Sequence, residues 1–113
     1  MKCALVGSRY FGASVFEALR KEAEVVITRV VAPAADDRLA LAAKAAGVEV
    51  HVLANPKLVP GEAIAEGTDL IVAAHTHARV SNEALARSRL GGVGYHPSLL
   101  PRHRGIAAVE WTI

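Results

Sequence analysis

The chain has 113 residues and a formal net charge of +2, with 52% hydrophobic and 21% charged residues. This composition excludes a disordered chain, and the length suits one modest domain rather than two. The arginines are scattered, so composition gives no case for nucleic-acid binding. Because no apolar run approaches the roughly 20 residues of a membrane span and no signal-peptide pattern opens the chain, the sequence predicts a cytoplasmic protein without a membrane partner.

The chain begins with a predicted strand, turn and helix. Residues 3–6 are apolar and include the single cysteine, Cys3, which we interpret as a small buried residue. Gly7 ends this run, and apolar residues then recur at helical spacing: Phe11, Val15, Ala18 and Leu19. The turn lacks the middle glycine of a dinucleotide fingerprint, which argues against NAD. Its backbone amides suit a phosphate or carboxylate, aided by Arg9, or else the turn is merely structural.

The middle of the chain repeats the alternation of strands and helices. A strand is predicted over 24–31, and the following helix has Asp36-Asp37 as its N-cap and Gly47 as its stop. A third strand is expected over 48–52, then a loop with a single helical turn through Ile64. Residues 69–74 form the most apolar of the predicted strands.

The last predicted elements are a helix, a strand and the start of another helix. The helix follows Ser81 as N-cap, with Val80 and Leu85 as a hydrophobic staple, and runs to Gly91. Residues 92–95 are predicted to form a fifth strand. Beyond Gly105 a helical pattern begins and the domain is expected to be cut short on its C-terminal side; the pattern comprises Ala107, Ala108, Trp111 and Thr112.

Strands that alternate with helices and are apolar throughout predict a mostly parallel sheet covered on both faces, the doubly wound, Rossmann-like α/β class. Right-handed crossovers favour the strand order 3-2-1-4-5, which puts a topological switch point between the first and fourth strands. Polar residues follow the carboxyl ends of three strands, and we expect them to share one rim: Gly7-Ser8-Arg9, His75-Thr76-His77 and His96.

His96 stands out among these residues. It follows a predicted strand and precedes Pro97, which restricts where its ring can point, so a catalytic role is favoured. For Arg102 and Arg104, a solvated basic loop and substrate-anion binding stay open alternatives. His75 and His77 lack a third ligand at a recognisable spacing, which predicts pocket lining and no metal.

The loop around His96 resembles the signature loop of the folate-dependent formyltransferases, which include the glycinamide ribonucleotide and methionyl-tRNA enzymes. The resemblance rests on His96, Pro97, Ser98, Leu99, Leu100, Pro101, Arg104 and Gly105. Four segments are most similar to the hydrolase domain of 10-formyltetrahydrofolate dehydrogenase: residues 95–105, 111–113, 11–12 and 19–22. The resemblance implies that residues 1–113 form the N-terminal part of a formyltransferase catalytic domain, with no second domain in the chain.

The resemblance also implies an activity, transfer of a formyl group from 10-formyltetrahydrofolate to an amine. His96 would be the general acid/base and oxyanion donor. The folate donor would lie against His75, His77, Ala78, Arg79, Val80 and Leu100. The acceptor would lie against Gly7, Ser8, Arg9, Ser98, Arg102, Arg104 and Gly105. The acceptor's identity stays open, tRNA included, as does the oligomeric state.

The chain departs from the family pattern at two points. Gly94 stands where the simple formyltransferases have an asparagine that shares the oxyanion, and the family's aspartate would lie beyond Ile113. Two alternatives therefore remain: hydrolysis of 10-formyltetrahydrofolate with water as acceptor, and a non-catalytic domain that binds a folate or nucleotide.

Overall fold

A computed structural model of the chain describes residues 1–95 and 108–111. Strands alternate with helices along it. The strands are β1 Lys2–Gly7, β2 Val26–Ala32, β3 Val50–Val52, β4 Leu58–Val59, β5 Leu70–Ala74, β6 Arg79–Val80, β7 Gly92–Tyr95 and β8 Ala108–Trp111. The helices are α1 Arg9–Arg20, α2 Arg38–Ala45 and α3 Asn82–Ala86, with a 3₁₀ turn at Gly61–Ala63. In this part of the chain, no helix has the length and apolar character needed to cross a membrane.

The main sheet has the order β3-β2-β1-β5-β7-β8. The pairs from β3 to β7 are parallel, and β8 is antiparallel to β7. This confirms the predicted doubly wound fold, because the five predicted strands lie in the predicted order. A second sheet pairs the short strands β4 and β6 in parallel. Neither of these strands was predicted, because two residues are too few for a periodic signal in the sequence.

The helix predicted beyond Gly105 is wrong where the structure describes that segment. Residues 108–111 form β8, whose residues Ala108 and Trp111 pair with Tyr95 and Gly92. Without this partner β7 would leave one row of backbone donors and acceptors unpaired at the sheet edge. Pairing across the sheet therefore overrides a local helical pattern that is only a few residues long.

The predicted helix caps are confirmed, although α3 is shorter than expected. The side chain of Asp37 accepts a hydrogen bond from Leu39 N, and that of Ser81 accepts one from Ala84 N. Helix α3 ends at Ala86 instead of continuing to Gly91. The hydroxyl group of Ser88 bonds the carbonyl oxygens of Gly91 at 2.6 Å and Asp69 at 2.9 Å, which favours a turn over further helix.

The centre of the sheet, at β1 and β5, is buried on both faces. One face packs against α1 and α2 in a cluster that includes Leu5, Phe16, Val30, Leu39 and Val72. The other packs against the 3₁₀ turn, α3 and the small sheet, in a cluster that includes Val6, Val31, Ile64, Ile71 and Leu85. Successive strand residues alternate between the two clusters, so the strands are apolar throughout. The site must therefore lie at the rim of the sheet, where the strands end.

Candidate active site

The strands β1 and β5 end side by side at the switch point. Gly7 is the register partner of Ala74. A Cβ atom on Gly7 would lie 2.3 Å from the carbonyl oxygen of Ala74, far inside any van der Waals contact. Only glycine permits this approach, which brings the turn after β1 against the turn after β5.

Ser8 links these two turns. Its backbone N–H donates to Ala74 O at 3.3 Å, and its buried hydroxyl donates to the carbonyl oxygen of His75 at 2.6 Å. The same hydroxyl oxygen lies 3.3 Å from Nδ1 of the His75 ring. Although Ser8 occupies the N-cap position of α1, its side chain does not cap that helix. The hydroxyl instead fixes the position of His75.

Both turns contain a residue in the left-handed region of backbone space. The φ angle is 61° at Arg9 and 55° at His75. For residues with a Cβ atom this conformation costs about 1–2 kcal/mol each. Such strain persists only where surrounding contacts enforce it, and it concentrates at functional sites. Here it occurs at the carboxyl ends of two adjacent strands.

The start of α1 is bonded to a carboxylate of the same chain. Arg9 N donates to both oxygens of Asp37, at 3.1 and 3.0 Å. One of these oxygens also accepts from Leu39 N at 2.9 Å, the cap of α2. Asp37 therefore joins the N-termini of two helices, where their dipoles favour negative charge. The anion that the sequence led us to expect near Arg9 is, at this amide, an internal side chain.

A cavity of about 440 Å³ opens beside this junction. Beside Gly7, its polar lining comes from the segments after β1 and β5 and from two loops, and consists of Ser8, Arg9, Asp37, Lys57, Thr76 and His77. Its apolar wall consists of Val31, Pro33, Leu53 and Pro56. The volume lies in the range of small-molecule sites, which combine apolar walls with a few placed polar groups.

The small sheet holds the two sides of the cavity together. Arg79 N donates to Lys57 O at 2.9 Å, and Ser81 N donates to Val59 O at 3.1 Å. Within the turn after β5, the hydroxyl of Thr76 accepts from Ala78 N at 3.0 Å. The loop carrying Lys57 is therefore tied to the segment that follows His77.

The structure brings together four of the predicted site residues, Gly7, Ser8, Arg9 and His77, around this cavity. His75 lies against Ser8. Val80 is buried in the core, Ala78 packs against that core, and Arg79 is exposed on β6. Six predicted residues lie outside the described part of the chain: His96, Ser98, Leu100, Arg102, Arg104 and Gly105.

Sequence reasoning missed Lys57 and the apolar wall as parts of the site. Asp37 was predicted as a helix cap, but its second bond to Arg9 was not. A signal for Lys57 was present, since the Asn55-Pro56 pair predicts a turn and the carbonyl oxygen of the Asn55 side chain accepts from Lys57 N at 2.9 Å. Nothing in the sequence placed that turn beside Ser8.

The two histidines after β5 lie edge to face. Their ring centroids are 5.7 Å apart and the ring planes are inclined by 76°. Among the described residues, no group of three or more His, Cys, Asp and Glu side chains has the arrangement of a metal site.

A comparison with models of protein families shows which family this chain belongs to. A family model described as formyl transferase matches residues 1–113. The chain belongs to the formyl transferase family. The resemblance found at the loop of His96 is thereby confirmed.

Curated relatives within this family include two human proteins. The chain is 36% identical over 124 residues to mitochondrial 10-formyltetrahydrofolate dehydrogenase from Homo sapiens, an alignment that covers 100% of this chain and 13% of that protein. It is 35% identical to the human cytosolic 10-formyltetrahydrofolate dehydrogenase, covering 100% of this chain and 14% of that protein. The chain thus spans 13–14% of the length of these relatives.

Solved structures of two phosphoribosylglycinamide formyltransferases share the fold. Phosphoribosylglycinamide formyltransferase from Bacillus halodurans matches with a TM-score of 0.63 and 18% identity, over 89% of this chain and 58% of that one. The enzyme from Anaplasma phagocytophilum matches with a TM-score of 0.61 and 21% identity, over 89% of this chain and 52% of that one. At these identities the likeness shows the fold alone.

Proposed function

We propose that this domain takes part in transfer of the formyl group of 10-formyltetrahydrofolate to an amine, with residues 1–113 as the N-terminal part of the catalytic domain. The observation that carries the proposal is the position of β7. Its last residue, Tyr95, is the register partner of Ala74. Strand β7 therefore ends at the edge of the sheet where Ser8 and His75 lie, and His96 is the next residue in the sequence. Membership of the formyl transferase family supports 10-formyltetrahydrofolate as the formyl donor at this edge of the sheet.

The reaction that we propose needs one proton-moving group. The amine nitrogen attacks the formyl carbon, and the carbonyl oxygen becomes an oxyanion. The bond from that carbon to the folate nitrogen then breaks, and the proton lost by the amine is delivered to the departing nitrogen. A protonated imidazole donating to the oxyanion contributes about 10²–10³ in rate, and general acid/base catalysis about 10²–10⁴. We assign both roles to His96.

The described residues support a division of the site into two sides. His75 and His77 follow β5, beside the end of β7, and we assign the folate donor to that side together with Arg79 and Leu100. His77 lines the cavity from the end of β5, whereas Gly7, Ser8 and Arg9 line it from the end of β1, and we assign the acceptor to the β1 side. The apolar wall and the exposed cations Arg9 and Lys57 fit a small organic acceptor with polar groups.

Hydrolysis of 10-formyltetrahydrofolate is the second candidate. The curated relatives that favour it are 10-formyltetrahydrofolate dehydrogenases. Gly94 also favours it by resemblance, because the dehydrogenase-type domain lacks asparagine at that position. The cytoplasmic location stays a prediction, since these relatives include both mitochondrial and cytosolic proteins.

The experiment supplies the intact protein with 10-formyltetrahydrofolate and measures tetrahydrofolate and formate. Transfer predicts that tetrahydrofolate forms only when an amine acceptor is added and that little formate appears. Hydrolysis predicts equal amounts of formate and tetrahydrofolate without any amine. Absence of tetrahydrofolate under both conditions, with a panel of amines tested, contradicts the proposal.

A further inference from the structure

The acceptor side of the cavity has its own carboxylate. Asp37 lines the cavity, and both of its oxygens accept the N–H of Arg9 at 3.0 and 3.1 Å. A further bond from Leu39 N at 2.9 Å fixes one of these oxygens. The carboxylate is therefore held by backbone groups of two different elements and cannot swing away without breaking both contacts.

This arrangement sets the charge at the start of α1. The first N–H groups and the dipole of a helix together favour an anion, and the phosphate group of a ligand can bind there. Here the Arg9 N–H is already donated to Asp37. A ligand phosphate brought to this point would lose that donor and face a carboxylate of like charge.

The neighbouring side chains do not fill the same role. The side chains of Arg9 and Lys57 are exposed at the cavity, so they can change conformation to suit a ligand. Asp37 is half-buried and fixed at the cavity wall. The fixed charge at the cavity is therefore negative, whereas the positive charges are adjustable.

We propose that Asp37 is a specificity-determining residue that makes this cavity select acceptors with no phosphate at the start of α1. The inference rests on the proposed function, because it concerns the acceptor of that reaction. The acceptor group expected at the start of α1 is therefore neutral or bears an amine, and water also meets this condition.

The test uses inorganic phosphate as the probe of the intact protein, by isothermal titration at constant ionic strength. Asp37→Ser keeps a residue type that caps α2 but removes the charge and frees Arg9 N. Asp36→Ser is the matched control, since Asp36 is exposed and does not line the cavity. We expect Asp37→Ser to bind phosphate about tenfold more tightly than both the wild type and Asp36→Ser.

A second variant covers the case in which Asp37→Ser does not fold. Asp37→Asn retains an oxygen that can cap α2 and removes only the charge, so it is expected to gain phosphate binding to a smaller extent. Equal phosphate affinity in the wild type and a folded variant overturns the proposal. So does inhibition of the wild type by phosphate in competition with the acceptor. Phosphate binding is measured without turnover, so loss of the proposed function would appear separately, as absence of tetrahydrofolate formation.

Discussion

The hydroxyl of Ser8 donates a hydrogen bond of 2.6 Å to the carbonyl oxygen of His75. The two residues are 67 positions apart and belong to the turns after β1 and β5. One short side chain thus holds the acceptor side of the cavity against the segment assigned to the folate. The position of His75, which has an unfavourable backbone conformation, depends on this contact.

Ser8→Ala is expected to destabilise the protein by about 1–3 kcal/mol, because it leaves the carbonyl of His75 without its buried donor. Ser14→Ala is the matched control, since Ser14 lies exposed on α1, and its effect is expected to stay within about 0.5 kcal/mol. The free energy of unfolding from urea titration measures both. Equal stability of the two variants would show that the Ser8 bond contributes nothing.

Gly7→Ala is expected to destabilise the protein at or above the upper end of the roughly 1–3 kcal/mol typical of overpacking. The new Cβ would meet the carbonyl oxygen of Ala74 at 2.3 Å, and β1 and β5 would have to separate. Gly47→Ala serves for comparison, because Gly47 has a φ of +77° but open space around it, so only about 1–2 kcal/mol of backbone strain is added. A smaller loss for Gly7→Ala than for Gly47→Ala would contradict the close approach.

Asp69 contributes stability that the protein loses in acid. The Lys2 N–H and then the Arg89 guanidinium hold the pKa of its carboxyl below the usual value of 3.8. A lowered folded-state pKa gives stability that is present above the unfolded value and lost as the pH falls through the folded one. Below pH 3.8, unfolding free energies should therefore fall less steeply for Asp69→Asn than for the wild type. Arg89→Ala should change the profile less than Asp69→Asn, because the Lys2 bond remains; an unchanged slope in Asp69→Asn would contradict the assignment.

Cys3 is expected to resist alkylation in the folded protein. Its side chain is 2% exposed in β1, and burial raises the pKa of the thiol, so the reactive thiolate is scarce near neutral pH. A thiol reagent at pH 8 should label the protein rapidly in urea and slowly without it. Equal rates in both conditions would mean that β1 opens readily.

The fold followed closely from the sequence because its signals are local and repeated. The strand runs, the caps Asp37 and Ser81 and the stop at Gly47 each determine their own segment, and right-handed crossovers limit the strand order. The β8 segment was mispredicted because its structure depends on pairing with β7, a contact that no local pattern encodes.

The site was predictable only in part. The rim followed from parallel topology, which brought Gly7, Ser8, Arg9 and His77 to one cavity. The bond from Arg9 N to Asp37 and the position of Lys57 depend on how loops from different strands meet in space. Side chains on loops of this kind have no periodicity to reveal them.

The central claim, that His96 moves the proton and stabilises the oxyanion, is tested most directly by His96→Ala in the intact protein. The measurement is the initial rate of tetrahydrofolate formation from 10-formyltetrahydrofolate. His51→Ala is the control, because His51 lies on β3, the edge strand at the far end of the sheet from β7. We predict a loss of about 10²–10⁴ in rate for His96→Ala, with an unchanged melting temperature, and a near wild-type rate for His51→Ala. A folded His96→Ala protein that keeps the wild-type rate would contradict the account.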